Sequence, residues 1–223
     1  MERVAKIDPR LAGALAAQFE QWRAALHSGA ERVGWKLGMG EGERIGDEVA
    51  IGHLTSVSLL DPGAAYHAGS AIDLRADAEV ALQVGRAVAP DGDPVAAREA
   101  ISGFGVALEV VDLGRPLDDP VSVVATNVFH RAVAFGPFRP VLPAEEVDGR
   151  LVVNGQVVAS AAAANDLADR VCAAARLLGA MGERLQPGDR IITGSVVQVP
   201  IKIGDQVLAE MGALGKVQLS IVE

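Results

Sequence analysis

Two apolar, strand-like segments of the chain carry carboxylates at positions where an unpaired charge would be costly to bury. The first, residues 76–84, contains Asp77 and Glu79. Because alternate side chains of a β-strand share a face, these two acids point to one side and their apolar neighbours point to the other. The second segment, residues 104–111, contains Glu109. A carboxylate in such an apolar run requires a cation or a hydrogen-bonded partner.

A divalent metal ion would satisfy all three acids together, since hard cations prefer carboxylate oxygens as ligands. The residues alone leave one alternative, in which Asp77 and Glu79 form a solvated strand face. That alternative explains those two acids but not Glu109 within its apolar segment. The sequence therefore favours a metal site made of Asp77, Glu79 and Glu109.

The composition is that of a globular protein with ample apolar material. The chain has 223 residues, 50% of them hydrophobic, and a formal net charge of -9, which suits one large domain or two small ones. With this charge and no cluster of lysines or arginines, we expect no nucleic-acid partner. The N-terminus lacks a signal-peptide pattern, and no apolar run approaches the roughly 18 residues of a membrane span. We therefore expect a cytoplasmic protein without a membrane partner.

Periodicity and turn residues predict a chain of strands with a few helices. An amphipathic helix is expected at 11–26, begun by Asp8 and Pro9. The pair Asn154-Gly155 between two β-branched runs predicts a hairpin with a type I′ turn. The other expected elements are a glycine-containing loop at 38–52, short strands at 53–60, 71–74 and 132–135, helices at 95–101 and 161–181, and a β-meander in the C-terminal third.

Three basic residues and one cysteine are weighed for the same site. Lys36 lies in a short strand bounded by glycines, where it is either a snorkelling lysine or a cation lining a pocket for an anionic ligand. His53 is interpreted as structural or exposed, as lone histidines usually are. His130 follows a stretch of ambiguous secondary structure and is left out of the predicted site. Cys172, the single cysteine, is interpreted as a core residue.

Five short motifs follow one another along nearly the whole chain, from about Arg32 to the C-terminus. They are Gly34-Trp35-Lys36-Leu37-Gly38, Ala76-Asp77-Ala78-Glu79-Val80-Ala81, Ala107-Leu108-Glu109-Val110-Val111-Asp112, Gly188-Asp189-Arg190-Ile191-Ile192-Thr193-Gly194-Ser195, and Gly204-Asp205-Gln206-Val207-Leu208-Ala209-Glu210. In this order they resemble the fumarylacetoacetate hydrolase superfamily, and within it the branch of 2-keto-4-pentenoate hydratases and 4-oxalocrotonate decarboxylases.

The resemblance implies an α+β fold like the fumarylacetoacetate hydrolase C-terminal domain, a mixed β-sandwich or roll with flanking helices. Residues 1–30 would form an N-terminal helical segment, and residues 31–223 one catalytic unit. The family's Mg2+ or Mn2+ ion, held by three carboxylates, would fall on Asp77, Glu79 and Glu109. Aspartate stands at the first position, where the family usually has glutamate; it keeps the oxygen ligand and shortens the side chain by one methylene.

The resemblance also assigns roles and an activity. Lys36 falls on the catalytic lysine of the family, and Thr193, Gly194 and Ser195 fall on a segment that borders the substrate pocket. The implied activity is that of a divalent-metal-dependent lyase, a hydratase or decarboxylase. It would act on a small 2-keto acid through a metal-bound enolate, as in aromatic meta-cleavage catabolism. A homo-oligomer is implied as well.

The chain departs from the branch at two places. Residues 126–129 read Thr-Asn-Val-Phe where the branch commonly has Asp-Asn-Ala-Ser, and Met39-Gly40-Glu41-Gly42 replaces Leu-Thr-Ser after the lysine motif. Two alternatives therefore stand beside the lyase. One is cleavage of a carbon–carbon bond, as in an acylpyruvate hydrolase or oxaloacetate decarboxylase. The other is a catalytically weakened binding or assembly subunit that pairs with an active hetero-partner lyase.

Overall fold

The computed structural model describes residues 9–38, 49–114, 119–141 and 147–223. These residues form two β-sheets with four α-helices. In chain order the elements are α1 (Pro9–His27), β1 (Arg32–Gly38), β2 (Ala50–Thr55), β3 (Leu59–Leu60), β4 (Ala65–His67), β5 (Leu74–Val84), α2 (Pro94–Ala100), β6 (Ile101–Asp112), α3 (Pro120–Ala125), β7 (His130–Phe135), β8 (Asp148–Val153), β9 (Gln156–Ala162), α4 (Leu167–Ala180), β10 (Arg190–Ile192), β11 (Val197–Pro200), β12 (Gln206–Met211), a 3-10 turn (Gly212–Leu214) and β13 (Lys216–Val222).

The larger sheet curls into a roll. Its strand order is β2-β1-β10-β5-β6-β7-β3, with β11 also paired to β5. The edge strands β2 and β3 are joined by residues 56–58 alone. In a flat sheet, six strand spacings would separate these edges by roughly 28 Å, whereas such a short connection spans at most roughly 14 Å. The sheet must therefore bend until its two edges meet, which gives it a concave inner face.

The outer face of the roll is covered by the smaller sheet and by α1. The smaller sheet, in the order β4-β13-β12-β8-β9, packs against β5 and β6. Phe19 and Trp22 of α1 pack on Trp35 of β1, with ring centroids 5.5 Å and 5.1 Å from it. The main apolar core thus lies outside the roll. The inner face keeps a small apolar cluster and the polar side chains described below.

The predicted N-terminal helix and the Asn-Gly hairpin are confirmed. The helix begins at Pro9; Asp8, its expected first capping residue, lies outside the described residues. Asn154 and Gly155 have φ of 52° and 81°, the two left-handed values that a type I′ turn requires. None of the described helices is long and apolar enough to cross a membrane.

Two secondary-structure predictions for the C-terminal part of the chain are wrong. The alanine-rich segment predicted to start a helix at residue 161 pairs with β8 through Ala162, and α4 begins after the cap residue Asp166. The C-terminal third is not a single meander, because β10 and β11 pair with β5 in the larger sheet. The hairpins β8–β9 and β12–β13 belong to the smaller sheet. In both cases pairing with another strand outweighs the local pattern.

Candidate metal centre

Three carboxylates lie together on the inner face of the roll. Asp77 of β5 is directly opposite Glu109 of β6, and Glu79 lies two residues further along β5. Three carboxylate oxygens, one from each acid, lie within 4.8 Å of one another. Asp77, Glu79 and Glu109 are 5%, 1% and 0% exposed. The alternative of a solvated strand face is therefore wrong.

Strand alternation sets the direction of these acids, as the sequence predicts. Ala78 and Val80, their neighbours on β5, belong to the main core on the outer face. On the inner face, a small apolar cluster lies next to the acids, further along β5. Its members are Leu54, Ala81, Ala107, Val133, Phe135 and Ile192. Such a surrounding lowers the local dielectric and strengthens each electrostatic interaction of the acids.

Burial and mutual repulsion raise the pKa of two of the acids. Burial and then the charge of Glu109 raise the pKa of Asp77 to about 7, although Lys36 opposes the shift. Burial raises the pKa of Glu79 well above its usual range, and the charges of Glu109 and Asp77 add to the effect. Burial acts in the same direction on Glu109, but Lys36 and His130 outweigh it and lower its pKa. The charges and hydrogen bonds of the protein thus stabilise the ionised form of Glu109, whereas those around Asp77 and Glu79 do not offset burial and repulsion.

The oxygen atoms that remain fit a divalent cation. Oδ1 of Asp77 and Oε2 of Glu109 are buried and have no hydrogen-bond partner in the described part of the chain. Buried acceptors of this kind are costly unless something satisfies them. Carboxylate oxygens suit Mg2+ and Mn2+, and an octahedral ion with three such ligands keeps about three positions for water or substrate. The donor set, its burial and its raised pKa values all fit such an ion.

Lys36 is a buried cation of this site. Its ammonium donates to Oε1 of Glu109 at 2.6 Å and to the carbonyl of Val128 at 2.9 Å. Lys36 is 4% exposed, so the snorkelling interpretation is wrong. Its side chain crosses Gly52, its partner on β2. A Cβ at Gly52 would lie 2.7 Å from Cγ of Lys36 and 2.8 Å from Oδ1 of Asn127, so glycine leaves the space that the lysine occupies.

A left-handed turn brings the Val128 carbonyl to Lys36. Asn127, Val128 and Phe129 have φ of 60°, 53° and 63°, a conformation that is costly for β-branched and aromatic residues. The Asn127 side chain links the turn to β2 by two hydrogen bonds. Its Oδ1 accepts from the backbone N–H of His53 at 2.7 Å, and its Nδ2 donates to the carbonyl of His53 at 2.9 Å. The segment that departs from the family motif thus keeps the asparagine of the motif, and this side chain has a structural role.

His130 also faces the site, contrary to the sequence interpretation. Its Nδ1 lies 2.6 Å from Oε1 of Glu109, and its Nε2 lies 2.8 Å from Oγ of Ser58. The His130 side chain is 3% exposed. None of the sequence motifs includes Ser58, which lies in the short connection between the two edges of the roll. His53 is bonded to Asn127 through its backbone, and its buried Nδ1 has no hydrogen-bond partner among the described residues.

The segment of Thr193, Gly194 and Ser195 borders the acids in different ways. The Gly194 N–H donates to Oε2 of Glu79 at 2.7 Å. The Thr193 hydroxyl donates to the Val80 carbonyl at 3.0 Å, which holds the segment on β5. Ser195 is exposed, and with Gln198 it opposes the rise in the pKa of Asp77. The backbone of Gly194 is therefore the part of this segment that orients an acid.

The family model for the fumarylacetoacetate hydrolase C-terminal domain matches residues 47–222, a span that contains all three acids. The chain belongs to this family. The resemblance of the motif order and the expected α+β roll are thereby confirmed. Lys36 precedes the matched span, so the family model itself does not test its role.

The similar proteins include decarboxylases and a hydrolase. A 4-oxalocrotonate decarboxylase of Pseudomonas sp is 26% identical over 212 residues, which cover 87% of this chain and 80% of the relative. The structure of 4-oxalocrotonate decarboxylase from Pseudomonas putida G7, complexed with magnesium and adipate, has a TM-score of 0.87 and 24% identity and covers 95% of this chain and 86% of that one. Fumarylpyruvate hydrolase from Pseudomonas aeruginosa, in complex with Mn2+ and pyruvate, has a TM-score of 0.63 and 16% identity, with coverages of 86% and 90%. These structures share the fold, and both carry divalent ions of the kind expected from the sequence.

Proposed function

We propose that the chain is a divalent-metal-dependent lyase that removes carbon dioxide from a small 2-keto acid. The observation that carries the proposal is the buried cluster of Asp77, Glu79 and Glu109 with the Lys36 ammonium on one of its oxygens. Mg2+ or Mn2+ held by these acids would act as a Lewis acid toward the keto oxygen of the substrate. The similarity to 4-oxalocrotonate decarboxylases favours decarboxylation over hydration.

Lys36 supplies positive charge where the reaction develops negative charge. Loss of carbon dioxide breaks a carbon–carbon bond and leaves its electron pair in the conjugated keto group, as an enolate. Two N–H groups of the ammonium donate to Glu109 and Val128, and among the described residues the third has no acceptor. An ammonium has three such donors, so the third is free to stabilise the enolate oxygen. The contacts with Glu109 and Val128 hold the ammonium in place before substrate binds.

Cleavage of an acylpyruvate by water is the second candidate. It is favoured by the shared fold of fumarylpyruvate hydrolase, which was solved with Mn2+ and pyruvate. The same acids and the same lysine would serve, because hydrolysis of the carbon–carbon bond also releases an enolate that needs charge stabilisation. Decarboxylation of oxaloacetate belongs with this candidate.

Product analysis on a panel of 2-keto acids separates these activities. Metal-free protein is assayed by NMR with and without Mn2+ on an oxalocrotonate, a 2-keto-4-pentenoate, an acylpyruvate and oxaloacetate. We expect metal-dependent release of carbon dioxide from the first, and loss of that activity in Glu79→Ala and Glu109→Ala but not in the exposed control Glu99→Ala. Addition of water would instead indicate a hydratase, and release of pyruvate from the acylpyruvate a hydrolase. Unchanged metal binding in both acid variants would contradict the proposal.

A weakened subunit remains the third candidate, and the same panel tests it. Residues 126–129 lack the aspartate and the serine of the family motif and carry Thr126 and Phe129 in their places. Metal binding without turnover of any 2-keto acid would favour this candidate, and addition of an active relative would then be expected to restore turnover. Turnover by the purified chain alone would exclude it.

A further inference from the structure

His130 and Ser58 form a chain of contacts that ends on a predicted metal ligand. The Ser58 hydroxyl meets Nε2 of His130 at 2.8 Å, and Nδ1 of His130 meets Oε1 of Glu109 at 2.6 Å. A carboxylate oxygen only accepts hydrogen bonds. The 2.6 Å contact therefore requires a hydrogen on Nδ1 of His130, and in the neutral ring Nε2 then accepts from Ser58.

The two carboxylate oxygens of Glu109 differ in their hydrogen-bond partners. Oε1 accepts from Lys36 and from His130, each at 2.6 Å, and these two donors occupy both of its lone-pair positions. Oε2 is buried and has no partner among the described residues. A cation that approaches Glu109 thus meets a free oxygen only on the Oε2 side.

The two donors reach Oε1 from different strands. Lys36 comes from β1 and is anchored at the Val128 carbonyl. His130 comes from the first position of β7 and is anchored at Ser58, in the connection between the edges of the roll. A carboxylate held from two sides cannot rotate without breaking a short, charge-assisted contact. The side chain is therefore fixed before an ion binds.

We propose that His130, held by Ser58, is a positioning residue that together with Lys36 retains Oε1 of Glu109 and turns Oε2 toward the bound ion. Hydrogen bonds to ligating side chains commonly account for about 10- to 100-fold in metal affinity. The inference rests on the metal site of the proposed function and not on the reaction.

The test is calorimetric titration of Mn2+ into metal-free wild-type protein, three variants of the proposed contacts and one control variant. His130→Leu removes the donor and should weaken Mn2+ binding by about 10- to 100-fold. His130→Asn keeps an N–H near the position of Nδ1 and should recover most of the lost affinity. Ser58→Ala leaves the imidazole but frees it, and should weaken binding by about three- to ten-fold. The exposed His67→Leu is the matched control and should bind as wild type does.

A purely structural role for His130 gives a different pattern. It would lower the melting temperature of the metal-free protein while the folded fraction bound Mn2+ with wild-type affinity. Wild-type affinity in folded His130→Leu, or equal losses in His130→Leu and His130→Asn, would overturn the proposal. If His130→Leu does not fold, Ser58→Ala decides, and a change of less than about two-fold there overturns it. Mn2+ binding with these affinity ratios but without turnover would contradict the lyase activity alone, whereas absence of Mn2+ binding by wild type would overturn both.

Discussion

The inner face of the roll has two walls that are built in different ways. The acidic wall is formed by Asp77, Glu79 and Glu109 on the long antiparallel pair β5 and β6. The basic wall is formed by Lys36 and His130, which reach Glu109 from β1 and from the start of β7. Regular strand alternation fixes the first wall. A glycine, a left-handed turn and the closure of the roll fix the second.

The difference between the walls shows what each contributes. The basic wall lowers the pKa of Glu109, whereas the pKa values of Asp77 and Glu79 stay raised. The protein therefore supplies enough positive charge for one acid of the three. A further cation would stabilise the other two as carboxylates. We infer that the acidic wall holds the ion and that the basic wall orients a ligand and the substrate.

Removal of an acid from the acidic wall should have the largest effect. Glu79→Gln and Glu109→Gln each delete a proposed ligand, and Mn2+ affinity should fall by more than about 100-fold, beyond the range of outer contacts. Turnover should disappear with it. Because Glu79 has a raised pKa in the metal-free protein, the amide of Glu79→Gln resembles its protonated form and should leave the metal-free protein as stable as wild type. Calorimetry and thermal denaturation measure both outcomes.

The exposed Glu99→Gln serves as the control for both acid variants. It removes the same charge from α2, where Glu99 pairs with Arg86 in solvent, and should change neither Mn2+ affinity nor turnover. Retention of wild-type affinity in both Glu79→Gln and Glu109→Gln would remove the distinction between the two walls.

Loss of the ammonium from the basic wall should mainly affect the metal-free protein and the reaction. Lys36→Met leaves Glu109 with one partner fewer in a buried site, and breaking a buried ion pair commonly costs about 3–5 kcal/mol. Saturating Mn2+ should restore part of that loss, because the ion compensates Glu109. Turnover should fall by about 100-fold or more even at saturating Mn2+. Urea denaturation with and without Mn2+ and steady-state assays measure these effects, and full turnover in Lys36→Met would contradict the role of Lys36.

Filling the space at Gly52 should disturb the basic wall alone. A Cβ there would lie 2.7 Å from Cγ of Lys36, so Gly52→Ala should displace the lysine at a cost of about 1–3 kcal/mol in stability. We expect a lower kcat and a loss of Mn2+ affinity of no more than about 10-fold, because His130 still holds Oε1 of Glu109. Gly63→Ala is a control position with open space and positive φ, and its stability loss should leave kcat unchanged. A fall in Mn2+ affinity equal to that of Glu79→Gln would show that Gly52 acts on the acidic wall instead.

The smallest expected effect concerns His53, whose backbone is bound by Asn127. Burial and the charge of His130 lower the pKa of His53 to about 4, against about 6.5 in an unfolded chain. The unfolded state therefore takes up the proton first as pH falls below 6.5, and the stability that the neutral ring contributes above this value is lost progressively toward pH 4. Between pH 7 and 5.5 the loss is about 1 kcal/mol. In His53→Gln, the free energy of unfolding should therefore decrease by about 1 kcal/mol less between pH 7 and 5.5 than in wild type. The exposed His27→Gln should not change this decrease.

The acidic wall could be predicted from the sequence because its geometry follows from local rules. Asp77 and Glu79 are two residues apart on one strand, and the apolar residues around Glu109 show that it is buried. Strand alternation then places all three acids on one face. The register that sets Asp77 opposite Glu109 comes from β5 and β6 being long neighbouring strands.

The basic wall could be predicted only in part, because its contacts depend on how the sheet closes. Lys36 was assigned through the family motif and not through periodicity. Ser58 and His130 are 72 residues apart and meet because β2 and β3 lie at opposite edges of one curled sheet. The turn before His130 has Val128 and Phe129 in left-handed conformations, which no propensity of these residues suggests.

The alanine-rich segment shows the same limit in the smaller sheet. Its composition favours a helix, yet residues up to Ala162 extend the hairpin that begins at Asn154 and Gly155. The helix α4 begins only after Asp166. Pairing with β8 determines the extended conformation of Ala161 and Ala162.

The most direct test of this account is a crystal of the protein soaked with Mn2+ and oxalate, with anomalous data collected at the manganese edge. We expect one strong anomalous peak about 2.1 Å from one oxygen each of Asp77, Glu79 and Glu109, with Oε2 as the ligand atom of Glu109. Oxalate should complete the coordination, and Lys36 and His130 should remain on Oε1. A peak that touches fewer than two of these acids, or no peak at saturating Mn2+, would contradict the account.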